Sequence, residues 1–299
     1  MQNCPAAGDD RGTCLLENGV RRIAIIGLGL MGTSLGLALR KRAPDLDLVG
    51  FDACPSSADH ALALGAVCAL APACAAAARE ADLVVLAVPV NAIASVAEAL
   101  AGEIRSGAAV TDLGSTKARV VAECETLLGP RFVGGHPMAG SERNGPAHAS
   151  DIILDGAPWI LTPSERTCPA ALGRAAALVR TATGRNAHSM SPDAHDRMAA
   201  YMSHAVHAVA YAVAACAQAQ LGGLTEDAAG GSYRSVTRVA RSDPGFWAPV
   251  LLDNAGNVSR ALEEITDYLT ALRGHLTSGD AAAVERHLAA GRAEDVAGA

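Results

Sequence analysis

The strongest chemical signal in the chain is a histidine framed by glycines and a proline, Gly134-Gly135-His136-Pro137-Met138-Ala139-Gly140-Ser141-Glu142. Histidine is the natural general base at neutral pH. A histidine in this setting, just past a short apolar run, has no place on a regular apolar face; the reading is a general base, against a purely structural histidine. A second signal is Gly27-Leu28-Gly29-Leu30-Met31-Gly32, which follows an apolar run and opens a helix-like stretch. In that context the first glycine makes a tight turn, the second lets backbone approach a pyrophosphate, and the third packs helix on strand. Twenty residues after Gly32 stands Asp52. Its carboxylate can accept hydrogen bonds from ribose hydroxyls and repels a 2′-phosphate, and Ala53, Cys54 and Pro55 supply no arginine to offset that. NAD is the expected cofactor, held by Gly27, Gly29, Leu30, Met31, Gly32 and Asp52, with Val88 and Pro89 at the end of a later apolar run.

Three further groups could act beside them. Val110-Thr111-Asp112-Leu113-Gly114-Ser115-Thr116-Lys117 ends an apolar run, where open parallel sheets place ligands; its Gly-Ser turn reads equally well as an ordinary helix cap. His204 and His207 are three apart on one helix face, with His195 nine residues earlier. There is no H-E-x-x-H motif and no carboxylate at ligand spacing beside the pair, so no metal site is expected; two histidines facing an anionic substrate is the preferred reading. Gly230-Gly231 then leads into Arg234 and Arg238, one of which could clamp a carboxylate bidentately, the alternative being a solvated helix face.

The elements that must position these residues follow from the apolar pattern. Arg22–Gly27, Leu46–Phe51, Ala81–Val88 and Ala108–Asp112 read as strands, with shorter ones at Arg131–Val133 and Trp159–Leu161. Helical stretches separate them, beginning with Gly32–Arg42, whose basic C-terminal end suits the helix dipole. That rhythm predicts an α/β fold, a Rossmann-like doubly wound parallel sheet, over residues 21–187. Residues 1–20 read as a flexible tail. An all-helical C-terminal domain is expected over 188–299. It opens at Ser191-Pro192-Asp193, a capped helix start, and that helix should reach about Leu221. After an irregular stretch to Gly245 comes a second long helix, along which Leu251, Ala255, Val258, Leu262, Ile265, Leu269, Leu272 and Leu276 recur at heptad spacing. The seam fits packing within the chain or a dimer interface equally.

Composition narrows the classes. The chain has 299 residues, 24 basic and 31 acidic, net −7, and 50% of its residues are hydrophobic. Nucleic-acid binding usually needs a basic face to displace phosphate counterions, so no such partner is expected. The content is too apolar for overall disorder. The alanine-rich stretches 61–78 and 205–217 are broken by Gly65, Pro72 and His207, and no membrane association is expected. Eight scattered cysteines without a C-x-x-C pair suggest reduced thiols and a cytoplasmic location.

Taken together these residues resemble the prephenate and arogenate (cyclohexadienyl) dehydrogenases, the oxidative decarboxylases of tyrosine biosynthesis. The resemblance covers Arg22 to about Leu276 and rests on Gly27–Gly36, Asp112–Lys117, Gly134–Glu142, Ser191–Asp196, Ser203–His207, Thr237–Ala240 and Ser242-Asp243-Pro244. It implies a Rossmann-like nucleotide domain joined to a helical domain that forms a homodimer interface. It implies that His136 takes the proton of the substrate's C4 hydroxyl while hydride leaves for NAD, and that Ser115 helps to orient that histidine. Arg238 would bind a substrate carboxylate, with His204, His207 and Glu142 also at the substrate pocket. Prephenate is the implied substrate; arogenate, or both, is the alternative. Two departures touch that pocket: Ala205-Val206 stands where the family commonly has leucine-proline, and Ser235 replaces an acidic residue. A rival class, the β-hydroxyacid dehydrogenases, relies on a helical lysine, and Ser191–Leu221 contains none. A non-catalytic NAD-binding protein would need neither His136 nor Arg238.

Overall fold

The computed structural model describes residues 13–222 and 228–292. Eight strands form one sheet: β1 Arg22–Ile26, β2 Asp47–Phe51, β3 Ala69–Leu70, β4 Leu83–Leu86, β5 Ala109–Asp112, β6 Phe132–Pro137, β7 Trp159–Thr162 and β8 His188–Ser189. Their spatial order is 3-2-1-4-5-6-7-8. β1 lies centrally, and the chain winds outward first to β2 and β3, then to β4 and beyond. All pairings are parallel except β6 with β7, which run antiparallel with Gly135 opposite Leu161 and His136 opposite Ile160. The central strands are apolar on both faces because helices cover both, as parallel sheets require. One apolar cluster gathers Ile23, Ile25, Leu35, Leu83, Val85 and Leu178; the other gathers Ala24, Ile26, Val84, Leu86, Val110 and Phe132.

β6 runs four residues past the expected end at Val133, into the glycines, the histidine and Pro137. Gly134 and Gly135 have no strand propensity of their own, but each sits where a side chain has no room. A Cβ on Gly134 would lie 2.3 Å from Thr162 Oγ1, and one on Gly135 would lie 2.7 Å from the Asp112 carbonyl oxygen. The glycine pair therefore lets β6 lie close between β5 and β7 and carry His136 to the carboxyl end of β5.

Three expectations need correction. Residues 1–12 lie outside the described residues, but from Thr13 the chain is not a tail. Thr13–Glu17 form a short helix, and Leu15 and Val20 are fully buried in the first apolar cluster. The stretch before Gly245 is not wholly irregular: Gly231–Thr237 are helical and Val239–Arg241 make a 3₁₀ turn. The second long helix is two helices, Pro244–Asp253 and Ala255–Ser278, separated at Asn254. The first long helix does run to Leu221 as Pro192–Ala199, a π-helical turn at Ala200–His204, and Ala205–Leu221. The Ser191 hydroxyl caps it by accepting from the Ala194 N–H.

Packing divides the chain into a unit ending at Asn254 and a unit beginning at Ala255, whereas the sequence pattern alone places a boundary at residue 187, just before the sheet's last strand, His188–Ser189. In the second unit the helices Ala255–Ser278 and Ala281–Ala290 form a hairpin. It turns at Gly279 (φ 68°), and the Asp280 carboxylate caps the second helix through the Ala283 N–H.

Candidate active site

The glycine motif closes the turn from β1 into the helix Leu30–Arg42. Gly27 has φ 98°, a region that favours glycine, and a Cβ there would lie 2.4 Å from the Ala87 carbonyl oxygen and 3.1 Å from Val88 Cγ1. A Cβ on Gly32 would meet the Gly27 carbonyl oxygen at 1.9 Å. Gly29 is different: a Cβ there would have nothing within 4 Å. It precedes the helix without a side-chain cap, and the first turn carries no acid. A strand-to-turn cradle with free space over Gly29 and unpaired helix N–H groups beside it suits a pyrophosphate. Leu30 and Met31 are half-buried in the first turn. Asp52 is held by two backbone donors, the Leu28 N–H at 2.6 Å and the Cys54 N–H at 2.8 Å. Its carboxylate thus leans on the glycine turn and keeps lone pairs for ribose hydroxyls. Val88 and Pro89 follow β4 on the same edge of the sheet. The residues present fit a dinucleotide.

His136 lies near the end of β6 and is 8% exposed. Its Nδ1 is 2.8 Å from Nε2 of His195, and the His195 Nδ1 is 2.8 Å from Oδ1 of Asp196. The Asp196 carboxylate also accepts the Lys117 N–H at 2.7 Å and the Ala118 N–H at 2.8 Å. His195 and Asp196 come from the helix Pro192–Ala199, and Lys117 from the turn after β5. Burial would raise the Asp196 carboxyl, but the His195 ring and the two backbone N–H groups outweigh it and hold the pKa below the ordinary value. For His136, burial first, then His195, Lys117 and His204, push the imidazole well below its usual range. His136 is therefore neutral at physiological pH, as a proton acceptor must be.

Behind this chain lies a fully buried ion pair, the Lys117 ammonium on Asp112 Oδ2. Asp112 Oδ2 also accepts the Gly114 N–H at 2.8 Å, and Oδ1 accepts the Gly135 N–H at 3.0 Å. One carboxylate thus binds the backbone beside Ser115 and the backbone beside His136. Ser115 itself is half-buried. No hydrogen bond joins it to His136 among the described residues; the ring nitrogen that His136 Nδ1 meets is His195 Nε2.

His204 sits in the π-helical turn with no exposed surface. The Asn254 amide donates to His204 Nδ1 at 3.1 Å and to the Asp196 carbonyl at 2.7 Å. His204 Nε2 is turned toward the Ser115 backbone without completing a hydrogen bond of good geometry. Burial lowers its pKa to about 4, so this ring is neutral, and of the two histidines expected to face an anion only His207 keeps exposed surface. His207 stacks on Trp247 with centroids 3.6 Å apart, and its Nδ1 donates to the Ser203 carbonyl at 3.0 Å. Burial lowers its pKa too, aided by the nearby Arg238 charge. Arg238 Nη1 is 3.3 Å from Glu142 Oε2. Arg234 Nε donates to the Ala229 carbonyl at 3.0 Å.

Comparison with known proteins decides the family. Residues 35–188 match the prephenate dehydrogenase nucleotide-binding domain, and residues 191–290 match the prephenate dehydrogenase dimerization domain. The chain belongs to the prephenate dehydrogenase family. It is 35% identical over 266 residues to prephenate dehydrogenase of Bacillus subtilis, covering 87% of this chain and 71% of that one. It is 33% identical over 268 residues to cyclohexadienyl dehydrogenase of Zymomonas mobilis, covering 87% and 90%. The crystal structure of Aquifex aeolicus prephenate dehydrogenase with hydroxyphenyl propionate and NAD+ superposes with a TM-score of 0.83 at 30% identity, covering 90% of this chain and 94% of that one. Membership in this family of oxidoreductases disposes of the β-hydroxyacid dehydrogenase alternative.

Within the family fold, sequence reading quoted the segments that hold Asp112, Lys117 and Asp196 but gave those residues no role, and it passed over Asn254. Asp196 carried one local signal, its place beside a histidine in the first turns of a capped helix. Asn254 carried none, because its role depends on where two other segments lie.

Proposed function

We propose that the protein catalyses the NAD-dependent oxidative decarboxylation of prephenate to 4-hydroxyphenylpyruvate in tyrosine biosynthesis. The observation that carries this reading is His136: a neutral imidazole at the carboxyl end of the sheet, held by a buried hydrogen-bonded chain. NAD, when bound, accepts the hydride from the substrate's C4. Gly27, Gly29, Leu30, Met31, Gly32, Asp52, Val88 and Pro89 hold the dinucleotide. Asp52 selects NAD over NADP, because a 2′-phosphate beside this carboxylate has no counter-charge. His136 receives the C4 hydroxyl proton, which removes the barrier to forming a carbonyl oxygen as hydride departs. Arg238 shares its guanidinium between Glu142 and a substrate carboxylate, and Ser115 lines the pocket near the hydroxyl. Loss of carbon dioxide aromatises the ring and makes the reaction one-way.

One observation favours arogenate as a second substrate. With its Nδ1 proton given to the Ser203 carbonyl, a neutral His207 offers Nε2 as an acceptor, which suits the ammonium of an amino-acid side chain better than a keto acid. Steady-state rates of NADH or NADPH formation with prephenate and arogenate, each with NAD and NADP, test both readings. Turnover of prephenate with NAD at the higher kcat/KM supports the first, and a preference for arogenate transfers the same chemistry to the second. No turnover of either removes the proposal.

In this reading residues 21–187 bind the nucleotide and 188–299 bind substrate and form a homodimer through the C-terminal helices, in the cytoplasm. By length and composition alone the 30-residue helix Pro192–Leu221 could cross a membrane, and 28% of its most apolar window is buried. Its first turns carry His195 and Asp196 into the catalytic chain, and its exposed Val206, Val213 and Leu221 fit the partner-facing side of a dimerization domain. The seven described cysteines are all free, consistent with a reducing compartment.

A further inference from the structure

We propose that His195 and Asp196 are positioning residues that fix His136 in the tautomer whose Nε2 carries the reactive lone pair. The inference rests on the reading of His136 as the base and adds how that base is aimed. It follows from the roles each atom can take. The Asp196 carboxylate only accepts, and its oxygens already receive the Lys117 and Ala118 N–H groups. The 2.8 Å contact with His195 Nδ1 therefore requires the proton on that nitrogen. A His195 ring with one proton presents Nε2 as a lone pair. That lone pair lies 2.8 Å from His136 Nδ1, so His136 must carry its proton on Nδ1 and leave Nε2 free. The rings meet edge-on, 65° apart with centroids at 5.0 Å, which aims nitrogen at nitrogen rather than stacking faces.

The same chain meets the charge of the reaction. As the substrate O–H bond breaks, its proton forms a bond to His136 Nε2, and the C4 hydride carries its electron pair to NAD. No proton need leave Nδ1. The new imidazolium donates through Nδ1 to His195, behind which stands the Asp196 charge. The other groups near His136 are Lys117, neutralised by Asp112, and His204, so Asp196 is the anion available through the chain. Loss of a purely structural chain would register in stability alone; an aiming chain also needs, for turnover, an acceptor at the His195 Nε2 position.

The deciding measurement is the imidazole 15N spectrum of the NAD-bound wild-type protein labelled at histidine, with His136 and His195 assigned from His136→Asn and His195→Gln. The expected result is a proton on Nδ1 and none on Nε2 in both rings. A proton on His195 Nε2, or on His136 Nε2, overturns the proposal. Kinetics give a second reading. His195→Leu lowers kcat by about 10²-fold with KM and NAD affinity unchanged, while His195→Gln, whose side-chain carbonyl accepts from His136 Nδ1, recovers part of the loss. Wild-type kcat in His195→Leu, or equal losses in both variants, overturns it. If His195→Leu does not fold, the wild-type spectrum still decides. The two readings fail differently: activity surviving in His136→Asn refutes the base, whereas an inactive His136→Asn beside a fully active His195→Leu refutes only the aiming.

Discussion

His136 and Arg238 carry contrasting predictions. Because burial and the neighbouring His195, Lys117 and His204 depress the His136 pKa, the base stays deprotonated as pH falls through about 6.5, where an ordinary histidine would protonate. The acid limb of the kcat profile is expected below that value, and a limb at or above it would show that the folded site does not depress the histidine. Sequence alone places the limb at the ordinary value, since it shows the histidine but not its burial. The Arg238 side chain is largely exposed, and among the described residues its ion pair is the 3.3 Å contact with Glu142. Arg238→Gln should therefore raise substrate KM by about 30- to 150-fold, the equivalent of roughly 2–3 kcal/mol for a charge-assisted contact, with NAD affinity unchanged. An unaltered KM would remove Arg238 from the carboxylate site.

At the scale of elements, β5, β6 and the helix Pro192–Ala199 converge on the site, and Asp112 ties the first two together through Gly114 and Gly135. Asp112→Asn turns an amide toward one backbone N–H and leaves the buried Lys117 without its anion, so stability should fall by about 3–5 kcal/mol. Chemical denaturation measures it, and a loss under 1 kcal/mol would show that the pair contributes little. β1, β2, β4 and β5 were legible because each is an apolar run, whereas β3 and β8, two residues each, carry no such run and were not read. β6 was read four residues short and its antiparallel pairing with β7 unforeseen, because Gly134-Gly135-His136-Pro137 is extended by the neighbouring strands and by the lack of room for a side chain, not by propensity. The π-helical turn at Ala200–His204 and the interruption at Asn254 have the same character. They turn His204 and Asn254 toward each other, a pairing 50 residues apart in sequence that no local pattern announces.

For the whole molecule, the site legible in sequence was the part written in short segments: the glycine turn with Asp52, and the histidine between glycines. What joined those segments was not legible, since His136 and His195 are 59 residues apart and Lys117 and Asp196 are 79 apart. The outer surface follows a similar rule. Heptad spacing marked a seam along residues 251–276, but one chain alone leaves Leu269 and Leu276 exposed, as it does Val206 and Leu221 on the helix Ala205–Leu221. With a matched dimerization domain over 191–290, sedimentation equilibrium at micromolar concentration should give twice the 30.3 kDa chain mass. A monomer at that concentration would assign those apolar residues to some other partner. The central claim is that His136 is the base in the oxidation of a cyclohexadienyl substrate, and the rate of NADH formation from prephenate by the wild-type protein and by His136→Asn tests it most directly. The account predicts turnover by the wild type and a kcat lower by about 10²–10⁴ in the variant, with substrate KM and NAD binding within a few-fold. A variant that keeps most of its kcat would contradict it.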